Sequence, residues 1–172
     1  DCDLRRSHQH VVFNVRKAPG LSDYLVKQIP IEKVVFMTSV PNLYILPAGT
    51  TPPNPAEMLA SDRMSDLTNR LSRMFDVVIY DTPPIISVTD PILLSQRIKD
   101  VVMVVQYGKT NRHLVTDAIS RLNHVKSKVT GVVLNGMQNK KGYGYYKYDY
   151  SYYQKSYYGV DPKPKKKINF IK

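Results

Sequence analysis

Four short apolar runs punctuate the chain, and the polar stretches between them carry helical rhythms. Leu43-Tyr44-Ile45-Leu46, Val77-Val78-Ile79-Tyr80, Val101 to Val105 and Val129 to Leu134 are rich in β-branched and aromatic residues, and each stops at turn chemistry or a change to polar residues. Runs of this length and composition predict strands. The first ends at Pro47-Ala48-Gly49 and the second at Asp81-Thr82-Pro83-Pro84. Val101 to Val105 is unbroken, as expected for a strand covered on both faces. Val129 to Leu134, interrupted by Gly131, reads as a last buried strand. Between these runs, Asn54 followed by Pro55 signals a helix start. Met64, Leu67, Leu71 and Met74 fall on one face of that helix. Asp90-Pro91 repeats the cap-plus-proline signature for a short helix through about Gln96. Thr110 can cap a helix carrying Leu114, Val115, Ala118, Ile119 and Leu122.

Strands alternating with helices at this spacing predict βαβ units and a mostly parallel α/β sheet with helices on both faces. Ligands of such sheets bind beyond the carboxyl ends of the strands. Asp81, Tyr107 to Thr110 and Asn135 lie just past strand ends and are expected on one edge. The pattern stops after Gln138. Residues 139–172 have no aliphatic side chain until Val160, and nine Tyr between Tyr143 and Tyr158 alternate with Gly, Lys, Ser and Asp. The expected division is a core over 1–138 and a flexible Tyr/Lys-rich tail over 139–172.

Charge sharpens that division. Residues 1–138 hold 16 basic and 12 acidic residues, whereas 139–172 hold nine Lys against Asp149 and Asp161. One cysteine, Cys2, rules out an intrachain disulfide, and a reducing compartment is the natural setting. No apolar run approaches the ~20 residues of a transmembrane helix, and no signal peptide is visible. The Cys/His spacing of a zinc site is missing. Hydrophobic residues make up 42% of the 172, a globular composition.

An apolar strand ending in Asp81 suits a nucleotide enzyme that holds Mg²⁺, a hard ion that keeps several waters for a carboxylate to orient. The prolines that follow stiffen the loop where a metal site needs rigidity. Asp1 and Asp3 flank Cys2. At a strand tip, alternation places both carboxylates on one face, where they could hold a metal or take a proton. Frayed, solvated acids are the plainer reading of the same residues. Gly108-Lys109-Thr110 matches the end of a phosphate-binding loop, but the loop's first Gly is then Met103, and Val104 and Val105 belong to a strand. No other segment matches. The tail suits three roles: binding single-stranded nucleic acid by phosphate pairing and base stacking, self-association, or accepting phosphate from a kinase, each phosphate adding about −1.5 to −2 charge.

Several of these segments together resemble bacterial tyrosine kinases, the capsule and exopolysaccharide autokinases. Asp1-Cys2-Asp3-Leu4-Arg5-Arg6 is similar to their second acidic nucleotide-site motif (Walker A′), with Ser7 where Pro is usual. Gly20-Leu21-Ser22-Asp23-Tyr24-Leu25 is similar to the segment that follows it. Leu46-Pro47-Ala48-Gly49 with Pro52-Pro53-Asn54-Pro55 and Leu59 is another shared block. Phe75 to Pro84, continued by Val88-Thr89-Asp90, resembles their Walker B motif. Gly131 to Asn135 resembles the strand end that meets adenine, and the tyrosine cluster resembles the autophosphorylation segment. The resemblance spans about 1–160. The Asp-Thr-Pro-Pro motif is shared with partition and septum-placement ATPases, and the tyrosine cluster separates the kinases from them.

The resemblance implies a P-loop NTPase-like fold, truncated at its start. The Walker A loop and an upstream oligomerisation helix precede the Walker A′ motif in the family, which would place both before Asp1. A gap in the sheet and little activity in this chain alone are then expected. The implied cofactors are ATP and Mg²⁺. Asp81 and Asp3 are implied to hold the metal, and Asp1 to take the tyrosine proton, though the roles of Asp1 and Asp3 could swap. Arg5 is implied to support the phosphates and Asn135 the adenine edge. The implied acceptors are Tyr143, Tyr145, Tyr146, Tyr148, Tyr150, Tyr152, Tyr153, Tyr157 and Tyr158. Implied partners are other copies in a ring and a transmembrane activator, with no nucleic acid. The location would be cytoplasmic, at the inner face of the plasma membrane through that partner. A partition-type ATPase switch and a non-enzymatic polyanion-binding module are the alternatives. An amphipathic membrane helix at the end would favour the first, and strong salt dependence of binding the second.

Overall fold

The computed structural model describes residues 1–27, 29–98 and 100–137. Along the chain come α1 (Gln9–Val12), α2 (Leu21–Val26), a 3₁₀ turn (Ile31–Lys33), β1 (Phe36–Met37) and β2 (Tyr44–Ile45). Then follow α3 (Pro55–Ala60), α4 (Asp62–Met74), α5 (Asp90–Ser95), β3 (Val101–Gln106), α6 (Arg112–His124) and β4 (Val129–Asn135). Asp1–Gly136 form one unit. The expected tail, 139–172, lies outside the described residues, as does the boundary expected at 138.

The helix expected from Asn54 onward is two helices. Ser61 interrupts it: its Oγ accepts the Met64 N–H at 3.3 Å and its hydroxyl donates to the Met58 carbonyl at 2.7 Å. A serine that satisfies an orphan donor favours starting a new helix over continuing the old one. α4 then turns Met64, Leu67 and Leu71 inward, while Met74 stays exposed. These side chains meet Leu4, Leu21, Ile31, Leu59 and Leu94 in the core. Two other helix starts move by one residue. Asn111, not Thr110, caps α6, accepting the His113 N–H at 2.9 Å. Thr89, not Asp90, is the cap position of α5.

The strands depart further from expectation. β3 and β4 do pair in parallel, Val104 opposite Val133 and Gln106 opposite Asn135, with α6 as their crossover. Neither is buried on both faces. Val102 and Val104 are 58% and 65% exposed, and Val132, Val133 and Leu134 are also open to solvent. The run at Leu43–Leu46 contributes only β2, which pairs antiparallel with β1 (Phe36 opposite Ile45). Val77–Tyr80 is in no ladder among the described residues. It still obeys a period of two: Val78 and Tyr80 pack on the core, while Val77 and Ile79 are 76% and 85% exposed. Its far end is fixed by the Cys2 N–H, which donates to the Asp81 carbonyl at 2.8 Å. No helix among the described residues is long and apolar enough to cross a membrane.

Candidate active site

The first nine residues wrap around their own carboxylates. Asp1 Oδ1 accepts the Asp3 N–H at 3.2 Å, and Asp1 Oδ2 accepts the N–H groups of His8 and Gln9, both at 3.1 Å. Asp3 Oδ1 accepts the Arg6 N–H at 2.8 Å and the Arg5 N–H at 3.2 Å. Short acidic side chains bond readily to N–H groups a few residues on, so the spacing Asp-x-Asp-x-x builds its own turn. Both carboxylates thereby acquire fixed directions.

Asp81 joins this turn from the other acidic motif. Its carbonyl receives the Cys2 N–H, and its Oδ2 accepts the side-chain amide of Gln9. Gln9 thus touches both acidic segments, through its backbone on Asp1 and through its side chain on Asp81. The sequence reading missed it, because a glutamine in a polar stretch carries no local signal. Cys2 sits buried between Asp1 and Asp3. Burial pushes its thiol up to about 11, outweighing the nearby α-amino group, which lowers it.

Arg5 was expected to face phosphates. The structure places its fork on Asp90: Nε–H donates to Oδ2 at 2.9 Å and Nη2–H to Oδ1 at 3.1 Å. Asp90 has 0% exposure. It was read as a helix cap, and it is a buried counter-ion linking the two acidic motifs. Asn135 ends β4 and is exposed, and its carbonyl accepts the Tyr107 N–H at 2.8 Å. Two of the three expected strand ends therefore meet.

A second buried carboxylate supports the site from behind. Asp23 Oδ2 accepts the N–H groups of Gly20 (3.0 Å) and Thr50 (3.1 Å), and its Oδ1 accepts the Thr50 hydroxyl at 2.8 Å. Burial pushes its carboxyl up, but those bonds, with Lys27 beside it, outweigh burial and leave it below its ordinary value. The segments meet so closely that a Cβ on Gly20 would lie 2.3 Å from the Pro47 carbonyl oxygen, and Gly49 has a φ of +85°. Only glycine meets both demands cheaply. The segment pinned in this way includes Leu46, whose carbonyl accepts the Asp1 α-amino group at 2.9 Å.

Asp1, Asp3 and Asp81 offer carboxylate oxygens, the donor type that a hard cation takes. No group of three His, Cys, Asp or Glu close enough to hold a metal occurs among the described residues. Mg²⁺ characteristically takes only one or two carboxylates and fills its shell with water and substrate phosphates. The Gly108-Lys109-Thr110 turn is unsuited to cradling phosphate, since the N–H groups of Lys109 and Thr110 both donate to the Gln106 carbonyl.

No protein-family model matches the chain. Individual relatives do. It is 34% identical over 154 residues to the tyrosine-protein kinase wzc of Salmonella typhi, covering 87% of this chain and 21% of that protein. It is 36% identical over 148 residues to the putative tyrosine-protein kinase CapB of Staphylococcus aureus, covering 86% of this chain and 65% of CapB. The crystal structure of the VpsO kinase domain superposes with a TM-score of 0.76 at 30% identity, covering 80% of this chain and 68% of that one. The chain belongs to the bacterial tyrosine-kinase family. The kinase domain of Escherichia coli ETK is similarly near, with a TM-score of 0.79 and 31% identity over 85% of this chain and 57% of that one. The P-loop NTPase-like α/β fold expected from the sequence is the fold of these bacterial tyrosine kinases. The chain spans about a fifth of the wzc relative and less than two thirds of CapB. Of the expected kinase residues, Asp1, Asp3, Arg5, Asp81 and Asn135 are described, whereas Tyr143 to Tyr158 lie outside the described residues.

Proposed function

We propose that this chain carries the acidic part of an ATP- and Mg²⁺-dependent protein-tyrosine autokinase site, together with its acceptor tyrosines. One observation carries the reading: two acidic motifs far apart in sequence are hydrogen-bonded together, Asp81 to Cys2 and Gln9, with Asp1 and Asp3 on either side of Cys2. Phosphoryl transfer is mainly positioning and charge stabilisation, and an anchored acidic turn supplies both. Asp81 would orient the waters of Mg²⁺, and Asp3 would assist. Asp1 would take the phenolic proton, with Asp3 able to exchange roles. Asn135 would bond the adenine edge. Arg5 would act on the phosphates only through whatever its fork on Asp90 leaves available. When bound, Mg²⁺ supplies neutralisation of the phosphate charge.

In the cell, the reading places the protein in control of capsular or exopolysaccharide synthesis and export. It would be cytoplasmic, held at the membrane by a transmembrane activator, with ring neighbours exchanging tails. Tyr143 to Tyr158 would then be phosphorylated in trans. The names of the relatives support the kinase chemistry, and the family resemblance supports the setting.

Mapping phosphotyrosine by mass spectrometry tests this reading. The 172-residue chain with ATP and Mg²⁺ should show little modification, since none of its segments matches the phosphate-binding pattern G-x-x-x-x-G-K-[ST]. Mixed with the active ETK kinase domain, it should gain phosphate within 143–158. Robust modification of the chain alone would mean that the phosphate site has been misplaced. Phosphate confined to Tyr24, Tyr44 or Tyr107 would move the acceptors into the core. In parallel, Asp81→Asn should weaken Mn²⁺ binding roughly tenfold in a chain that stays folded. Unchanged affinity would reduce Asp81 to a turn residue.

A further inference from the structure

The Arg5–Asp90 pair suggests a role that neither motif announces. Asp90 is completely buried, 85 residues from Arg5 in sequence, and both of its oxygens are engaged by one guanidinium. Such a fork has a fixed plane and fixes direction as well as distance. The backbone N–H of the same Arg5, and that of Arg6, are the donors that hold Asp3 Oδ1. Asp90 also opens α5 at the end of the segment that begins with Asp81. One ion pair therefore connects the orientation of the Asp3 carboxylate to the element that follows Asp81.

We propose that Asp90 is a positioning residue for the acidic site: through the Arg5 fork it holds the 3–6 turn, and that turn aims the Asp3 carboxylate relative to Asp81. The consequence for the metal rests on the kinase reading above, whereas the link from Asp90 to Asp3 does not. The nearest alternative is that the pair merely neutralises a buried charge. A buried pair that has lost one partner is costly whatever its purpose, so loss of stability alone cannot distinguish the two. Local order at Arg5 and Arg6 can.

The experiment uses the full 172-residue chain with Arg5→Lys and Asp90→Asn. Arg5→Lys keeps the positive charge and removes the fork. It also keeps the test alive if Asp90→Asn does not fold. Amide hydrogen exchange is followed at Arg5 and Arg6, with the amides of α4 and α6 as internal controls. Exchange at Arg5 and Arg6 should quicken by about tenfold or more while the controls hold. Mn²⁺ affinity should fall by about threefold or more, the size expected of an outer-sphere support. Unchanged exchange at Arg5 and Arg6 would overturn the proposal, and so would uniform acceleration everywhere. Local acceleration with undiminished Mn²⁺ affinity would also overturn it, leaving the pair a structural brace. If the unsubstituted chain binds no Mn²⁺, the metal reading fails, and the exchange pattern still decides whether Asp90 orders the turn.

Discussion

The core around α4 and the β3–α6–β4 unit each set a 13-residue helix against extended β-branched runs, and they end differently. Around α4, Leu59, Leu67, Leu21, Ile31 and Leu94 are sealed, and the buried carboxylates of Asp23 and Asp90 have partners on both oxygens. In β3–α6–β4, Ala118 and Leu122 are buried, while Val102, Val104 and the Val132–Leu134 stretch face solvent. The first region holds the extended Val77–Tyr80 run, which packs on the core through Val78 and Tyr80, and the second holds the strands β3 and β4. The contrast teaches that a β-branched run specifies extended backbone, and that burial depends on what is stacked against it.

Substitution should break the symmetry between the two regions most clearly. Leu67→Ala should cost about 3 kcal/mol, since it removes packed methyls and leaves a cavity. Val104→Ala should cost roughly 0.5 kcal/mol or less. Chemical denaturation of both variants checks this, and equal losses would mean that the β3 face is covered in solution.

Asp23→Ala should follow, at roughly 2–3 kcal/mol, because it strands the Gly20 and Thr50 donors. The carboxyl of Asp23 lies below its ordinary value when folded, so its contribution is present above about pH 4 and disappears as pH falls through the folded value. Thermal unfolding against pH should show the wild type losing stability in acid more steeply than the variant.

Cys2 gives the smaller effect, with the opposite sign. Its thiol rises from 9.0 to about 11, so between these values the unfolded chain releases a proton that the folded chain keeps. Stability should decline across pH 9 to 11 by on the order of 2 kcal/mol. Cys2→Ala should flatten that decline, and a thiol reagent at neutral pH should react with Cys2 only as fast as the core opens.

Helix positions were legible because capping and periodicity are local. Pro55, Asn111 beside the expected Thr110, and the Met64–Leu67–Leu71 stripe each depend on neighbours a few residues away. The break at Ser61 was missed because the apolar stripe runs past it, and only the serine's two hydrogen bonds decide that a new helix begins. In the site, Asp1, Asp3 and Asp81 were recognisable from their motifs. Gln9 carried no signal, and Asp90 was legible only as the end of the Walker B-like block and a helix start, since the place of each in the site depends on a partner more than seventy residues away.

The helix stripes, the parallel pairing of β3 and β4 around α6, the turns that Asp1 and Asp3 build for themselves, and the family were set by short-range chemistry and motif order. Tertiary structure alone decided which strands are covered, where Arg5 points and what fills the space between the acidic motifs. Those outcomes depend on long-range pairing. A guanidinium near the surface can serve a phosphate or a carboxylate equally well, and the completely buried carboxylate of Asp90 claims it.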